Sequence, residues 1–299
     1  MTISHDGRII TIEKDGASAE IYFYGAHVVS WKSPGQNGAP VEERFFMSDK
    51  AILDGTGPIR GGIPIAFPIF ATDVHPDYPN LGGPHGFARI NPWELVHQSE
   101  TSDSVSIILS LSPNEDIRKL FRPDFKLSYK LTLTKFTLDA ALTIVNPGKE
   151  SFRFNTCLHT YFKVPEIAKA SIEPLGEIPY TSRLDNSFTP GSPSTPDVIQ
   201  LEDKEIARCY HLDLKEEKTS TVRVDYGHTG DRQGEGVQID VQGDWTDSVL
   251  WNPSTKIEIP DLHKGGSLRF ICWEPGVIQS LITLGPGESW NGNTLMKAL

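Results

Sequence analysis

The chain is poor in cysteine, with three in 299 residues, and Cys157, Cys209 and Cys272 form no local pairing motif. An odd, sparse count argues against a disulfide framework and for reduced thiols, which in strand-like runs act as small hydrophobes. Positive charge is also short. Lys and Arg number 28 against 39 Asp and Glu, a formal net charge of −11. Nucleic-acid backbones and anionic membranes repel such a surface, so neither is an expected partner. A small anionic substrate needs only a local pair of arginines and stays possible. No apolar run is long enough to span a bilayer, and the opening MTISHDGRIITIEKDG has no uninterrupted apolar stretch of the secretory kind. The cytoplasm is the default location.

Several chemistries lack their signatures. The nine histidines are scattered without the paired spacing of a zinc site. The glycines after Arg60 are not followed by the lysine and Ser/Thr of a phosphate loop, and there is no Gly-x-Ser-x-Gly. Neither a metal nor a cofactor is therefore expected. Heptads, internal repeats, linkers and helices of three turns are missing too; Ile117, Leu120 and Phe121, within Pro113 to Pro123, are the clearest helical hint.

What the chain does have is strands. Runs at Arg8 to Glu13, Ala19 to Tyr24, His27 to Trp31, Glu43 to Met47, Trp93 to Gln98, Ser104 to Leu111, Phe125 to Thr134 and Thr137 to Val145 alternate or sit between turn residues. Further runs are Val222 to Tyr226 and Val237 to Val241, bracketing the tip GHTGDRQGEG, then Ser248 to Trp251 and Leu268 to Trp273. Many short strands at this spacing predict an all-β fold, a large antiparallel β-sandwich, as one domain over residues 1–299. Residues 54 to 89 are crowded with Gly and Pro and read as a long functional loop; residues 176 to 197 form a Pro/Ser-rich one. The six tryptophans lie mostly in or beside strands, where core packing is the first expectation.

The segment Ser151 to Val164, SFRFNTCLHTYFKV, organises the search for chemistry. Read as one strand, it directs Phe152, Phe154, Leu158 and Phe162 to a core. Arg153, Asn155, Cys157, His159 and Tyr161 then face the other way, as the floor of a wet cleft. His159 is either a structural or surface histidine or a catalytic one that Asn155 and Tyr161 orient. Cys157, on the same face, lacks the directed geometry of a nucleophile beside its base. Glu274 closes LRFICWE before Pro275-Gly276. It is either a solvated strand terminus or a carboxyl in a partly dry pocket, where desolvation would raise its pKa and suit a general base. Arg60 and Arg89, in IRGG and GFAR, offer planar forks for a phosphate, or else make loop salt bridges. His85 either donates to a sugar oxygen or caps its loop.

These residues carry a resemblance. IRGGIPIAFPIF, HGFAR, LHTYF and WEPG, in that order and over nearly the whole chain, resemble the glucose-6-phosphate 1-epimerase family of hexose-6-phosphate mutarotases, within the aldose 1-epimerase (galactose mutarotase-like) superfamily. The resemblance implies a β-supersandwich and cofactor-free interconversion of the α and β anomers of D-glucose 6-phosphate and similar hexose 6-phosphates, with the sugar phosphate as the small-molecule partner; a monomer is the expected state. It implies that His159 and Glu274 are catalytic, that Arg60 and Arg89 serve the phosphate, and that His85 lies near the sugar ring. The chain departs from the family pattern at Pro84, where glutamine is usual. It departs again at Ala207, where an aspartate commonly precedes an Arg-x-Tyr element, and in a shorter loop before Leu268. The roles that suit ring opening are Glu274 as base at the C1 hydroxyl and His159 as acid at O5. An epimerase of unphosphorylated aldoses and a non-catalytic sugar-phosphate binder on the same fold are the alternatives.

Overall fold

The computed structural model describes residues 3–72, 74–214, 219–227 and 235–299. Most of the tip GHTGDRQGEG lies outside them. The alternating runs pair into three antiparallel sheets. Five strands from Ile3–His5 to Val41–Glu43 form a meander in chain order. A nine-stranded sheet carries Glu94–Glu100, Val105–Leu111, Lys126–Leu133 and Thr137–Val145 side by side. The C-terminal strand Ser289–Ala298 then joins this set to Gly236–Gly243 and Thr219–Asp225. An eight-stranded sheet is centred on Phe270–Leu284, with Asp247–Asn252 on one side and Phe152–Leu158 on the other.

Period-two patterning explains the core. In Lys126–Leu133, Leu127, Tyr129, Leu131 and Leu133 are fully buried while Lys126 and Lys130 face solvent. Each such buried leucine contributes about 1.5–3 kcal/mol relative to exposure. Trp290 of the nine-stranded sheet meets Phe154 of the eight-stranded sheet edge to face, centroids 6.0 Å apart, so the two sheets share one interior. Among the described residues the only α-helix is Glu115–Leu120, capped by the Asn114 side chain, which accepts from Ile117 N at 2.8 Å. Among the described residues no helix is long and apolar enough to cross a membrane.

Four sequence expectations need correction. The glycine- and proline-rich stretch 54–89 is not wholly irregular: Ile65–Ala66 is a short strand, and Ile63, Ile65 and Phe67 are core. Residues 176–197 contain the strands Tyr180–Ser182 and Phe188–Thr189. Ser151 to Val164 is two strands, Phe152–Leu158 and Tyr161–Lys163, and Asn155, Cys157, His159 and Tyr161 are all buried, so the floor they form is not wet. Glu274 does not close a strand. It lies inside Phe270–Leu284, which runs straight on through Pro275 and Gly276.

The last two corrections share a cause. Both short strands pair with Phe270–Leu284, through Cys157↔Gly276 and Tyr161↔Cys272, so the break at Leu158 to Thr160 faces Trp273 to Pro275. Proline has no N–H for a ladder, and a central strand tolerates one only where the neighbouring strand makes no demand on it. His159 and Thr160 turn their backbone elsewhere: His159 N donates to Pro64 O at 3.0 Å and Thr160 N to Leu158 O at 2.9 Å.

Candidate active site

The break is lined by the segment that follows Arg60. Gly62 O accepts from Tyr161 N at 2.9 Å while Pro64 O holds His159 N, which lays RGGIP along the gap. Gly62 must be glycine here. Its φ is +60°, and a Cβ would sit 2.0 Å from Val28 O. The HGFAR turn closes the other side. Gly86, at φ +68°, passes so near Phe67 that a Cβ would lie 2.3 Å from its carbonyl oxygen. Phe67 and Phe87 then pack edge to face at 5.8 Å in a buried aromatic cluster with Phe121, Phe125 and Phe154. His85 itself sits at φ +66°, the left-handed region that a histidine occupies only when its surroundings hold it there.

These elements enclose a cleft of about 280 Å³ whose walls include Arg60, His85, His159, Arg183, Trp251 and Glu274. His159 Nδ1 is 3.4 Å from Glu274 Oε1, close but not aligned for a hydrogen bond. The imidazole lies flat on Tyr161, centroids 4.8 Å apart and planes 7° apart, with His85 and Trp251 edge-on at 5.4 and 5.6 Å. Arg60 donates from Nη1 to the Tyr161 hydroxyl at 2.7 Å and from Nε to Asp261 Oδ1 at 3.0 Å. Cys157 Sγ donates to Glu274 Oε2 at 3.7 Å. Of the residues singled out in the sequence, Arg60, His85, His159 and Glu274 thus converge. Arg89 does not line the cleft; its Nη2 donates to Pro84 O at 2.6 Å.

Burial and fixed charge set the protonation of this group. Burial holds His159 well below the usual histidine range, helped by His85, Arg60 and Arg89. Burial pushes the Glu274 carboxyl well up, opposed by the Cys157 hydrogen bond and by Arg183 and Arg60. Both shifts favour the neutral forms, a protonated carboxyl beside an unprotonated imidazole. His85 is pushed down to about 3, chiefly by burial and then by Arg89, Arg60 and Arg183. Its Nδ1 accepts from Ala71 N at 3.3 Å, which leaves the proton of the neutral ring on Nε2. Burial also raises the Cys157 and Cys272 thiols, so both stay protonated and Cys157 serves Glu274 as a donor.

Among the described residues two groups place three metal-ligating atoms within 4.8 Å of one another: His159, Cys272 and Glu274, and Cys209, His211 and Asp247. In the second, His211 Nδ1 is 2.9 Å from Asp247 Oδ1 and Nε2 is 2.8 Å from Thr181 Oγ1. Asp247 Oδ2 accepts from Ile278 N and Gln279 N. Both ring nitrogens and both carboxylate oxygens are already used. In the first, the thiol is held protonated, against the thiolate that a metal takes.

Sequence reading missed three cleft residues. Arg183 follows the strand Tyr180–Ser182, Glu205 precedes Ile206–His211, and Trp251 stands on Asp247–Asn252, only partly buried. Trp251 is the tryptophan that departs from the core-packing expectation; alternation along Ser248 to Trp251 carried a signal for its face, but none for the cleft. For Arg183 the signal was weaker still, since the backbone bond that places it, Arg183 N to Ala207 O at 2.7 Å, spans two segments that read as unrelated.

Comparison with known proteins finds likeness over the whole molecule. Residues 8–297 match the family described as aldose 1-epimerase. A protein of Cenchrus ciliaris is 30% identical over 94% of this chain and 81% of its own length, and one of Escherichia coli K12 is 27% identical over 89% and 82%. Each carries the name "putative glucose-6-phosphate 1-epimerase". Among solved structures, the mutarotase-like YeaD protein of Salmonella typhimurium superposes with a TM-score of 0.78 at 22% identity, covering 99% of this chain and 92% of that one. The Slr1438 protein of Synechocystis superposes with a TM-score of 0.76 at 20% identity, covering 100% and 97%. At such identities the structural likeness establishes the galactose mutarotase-like sandwich and nothing finer.

Proposed function

The chain belongs to the aldose 1-epimerase family, enzymes of the isomerase class, and from that premise we propose that it interconverts the α and β anomers of D-glucose 6-phosphate and related hexose 6-phosphates. The observation that carries the reading is the buried pair His159 and Glu274, 3.4 Å apart in a cleft that also holds arginine. Opening a pyranose removes the proton of the C1 hydroxyl and adds one to the ring oxygen O5, and two adjacent proton-carrying groups do both without a cofactor. Glu274 takes the C1 hydroxyl proton and His159 protonates O5. After rotation about C1–C2, closure returns both protons. The pair holds one proton throughout, and before the sugar opens that proton passes from Glu274 to His159.

The name shared by the Cenchrus and Escherichia relatives supports a phosphorylated substrate, as does Arg60 in the cleft wall. His85 Nε2–H is a donor suited to a sugar oxygen. The binding energy of a remote phosphate would fix the reacting end of the sugar. Saturation-transfer NMR of anomer exchange tests the proposal with glucose 6-phosphate, mannose 6-phosphate and glucose side by side. Faster exchange of the phosphates is the expected result. Equal acceleration of glucose would leave an aldose epimerase without phosphate preference, and tight binding without acceleration would leave a sugar-phosphate binder.

A further inference from the structure

The three guanidinium groups around the cleft differ in how far they are already engaged. Arg60 is paired with Asp261 at 3.0 Å and donates to Tyr161 as well. Arg89 is turned to the carbonyl of Pro84, lies outside the cleft lining, and is pushed down to about 10 chiefly by burial. Arg183 is exposed, lines the cleft, and pairs with no carboxylate among the described residues. Its guanidinium rests over the Phe70 ring at 5.7 Å, beside His85, and its backbone is pinned to Ala207 O. A planar fork with free N–H groups on an aromatic support is ready to take two oxygens of a phosphate without first breaking a salt bridge. Glu205, which also lines the cleft, is a carboxylate suited to hydroxyls and opposed to phosphate. The arginines of the lining are Arg60 and Arg183, and the anion belongs with them.

We propose that Arg183, together with Arg60, holds the phosphate of the substrate, and that Arg89 makes no direct contact with it. This rests on the hexose 6-phosphate reading above. The test compares kcat/KM for glucose 6-phosphate and for glucose in the wild type, Arg183→Gln, Arg183→Lys and Arg89→Gln, with binding of inorganic phosphate measured by calorimetry in each. Loss of a charge-assisted contact of this kind corresponds to about a 10–100-fold effect. Arg183→Gln is expected to lower the phosphate-to-glucose preference by that factor, mainly through KM, and to weaken phosphate binding. Arg183→Lys, which keeps the charge without the fork, should recover part of both, and Arg89→Gln should retain the preference. A preference that survives Arg183→Gln overturns the assignment while leaving the functional reading standing. So does an equal loss for both sugars with a moved pH profile, because Arg183 would then act only on Glu274. A wild type with no preference removes the reading and this assignment together.

Discussion

Tyr161 lies parallel to His159 at 4.8 Å, and its hydroxyl accepts from Arg60 at 2.7 Å, so one phenol joins the proposed proton carrier to the proposed phosphate contact. Tyr161→Phe keeps the stack and deletes the hydrogen bond. The KM for glucose 6-phosphate is expected to rise several-fold while kcat changes less. A loss confined to kcat, read from the same exchange kinetics, would mean that the hydroxyl serves the imidazole instead.

Removal of either member of the proton-carrying pair should be far more severe. His159→Ala and Glu274→Gln are each expected to lower kcat by about 10²–10⁴-fold, the usual worth of one general acid or base. Near-wild-type anomer exchange in either variant, with circular dichroism showing a folded protein, would reject the pair.

The pH profile follows from the directions of the two shifts. The proposed reaction needs one proton on the pair. Its rate falls at low pH when His159 takes a second, and because His159 is held below 6.5 that limb should lie below pH 6.5. It falls at high pH when Glu274 loses the only one, and because Glu274 is raised that limb lies well above 4.5. Cys157→Ala removes a bond that lowers the Glu274 pKa, so the upper limb should move to higher pH, and Cys157→Ser should move it back. Log kcat/KM against pH for the three proteins checks this.

Stability should carry the same signature. The buried carboxyl of Glu274 favours its proton more in the folded than in the unfolded chain. Its contribution is thus fully present below the unfolded value near 4.5 and is lost as pH rises through the folded value. Each tenfold difference in proton affinity corresponds to about 1.4 kcal/mol. Thermal melts should show Glu274→Gln gaining on the wild type as pH is raised from 4.5, and little separated from it below. A difference that does not vary with pH would contradict the burial argument.

The aromatic cluster beneath the HGFAR turn offers a structural counterpart. Phe67→Ala empties a fully buried ring position among Phe87, Phe121, Phe125 and Phe154, at an expected cost of about 3–5 kcal/mol. Because Phe67 N also donates to His85 O at 3.1 Å, exchange activity should fall further than that of a surface variant of equal stability. Chemical denaturation beside the NMR assay separates the two effects.

Much of this architecture was legible in the chain. Alternation gave Thr137–Val145 to the residue, because both its faces have one neighbour type each and nothing interrupts the ladder. The convergence of His159 with Glu274 was legible through motif resemblance, not through periodicity. Periodicity in fact misled there: it treated SFRFNTCLHTYFKV as continuous, since a backbone that leaves its ladder for two residues at His159 and Thr160 leaves no mark on which side chains are apolar. Pro275 was the available clue, but it read as a strand end because the break in the partner strand could not be seen. Arg183 and Glu205 escaped for a different reason. Each sits beside a strand whose pairing is set by distant segments, and local sequence says nothing about which cleft such an end will border.

The gap opposite Pro275 has a mechanical meaning. Where its strands are in register the eight-stranded sheet is cross-tied, and shifting one strand would stretch a row of bonds at once; its ladders loosen at the register shift between Phe154 and Thr156 and at this gap. Between Leu158 and Tyr161 there is no such tie to Phe270–Leu284, so the imidazole and the carboxyl stand on either bank of a seam with its own compliance. In the proposed reaction the sugar changes from ring to open chain and back, which alters the distance between the two oxygens the pair would serve, and a seam without cross-ties lets the two banks follow that change without stretching a ladder.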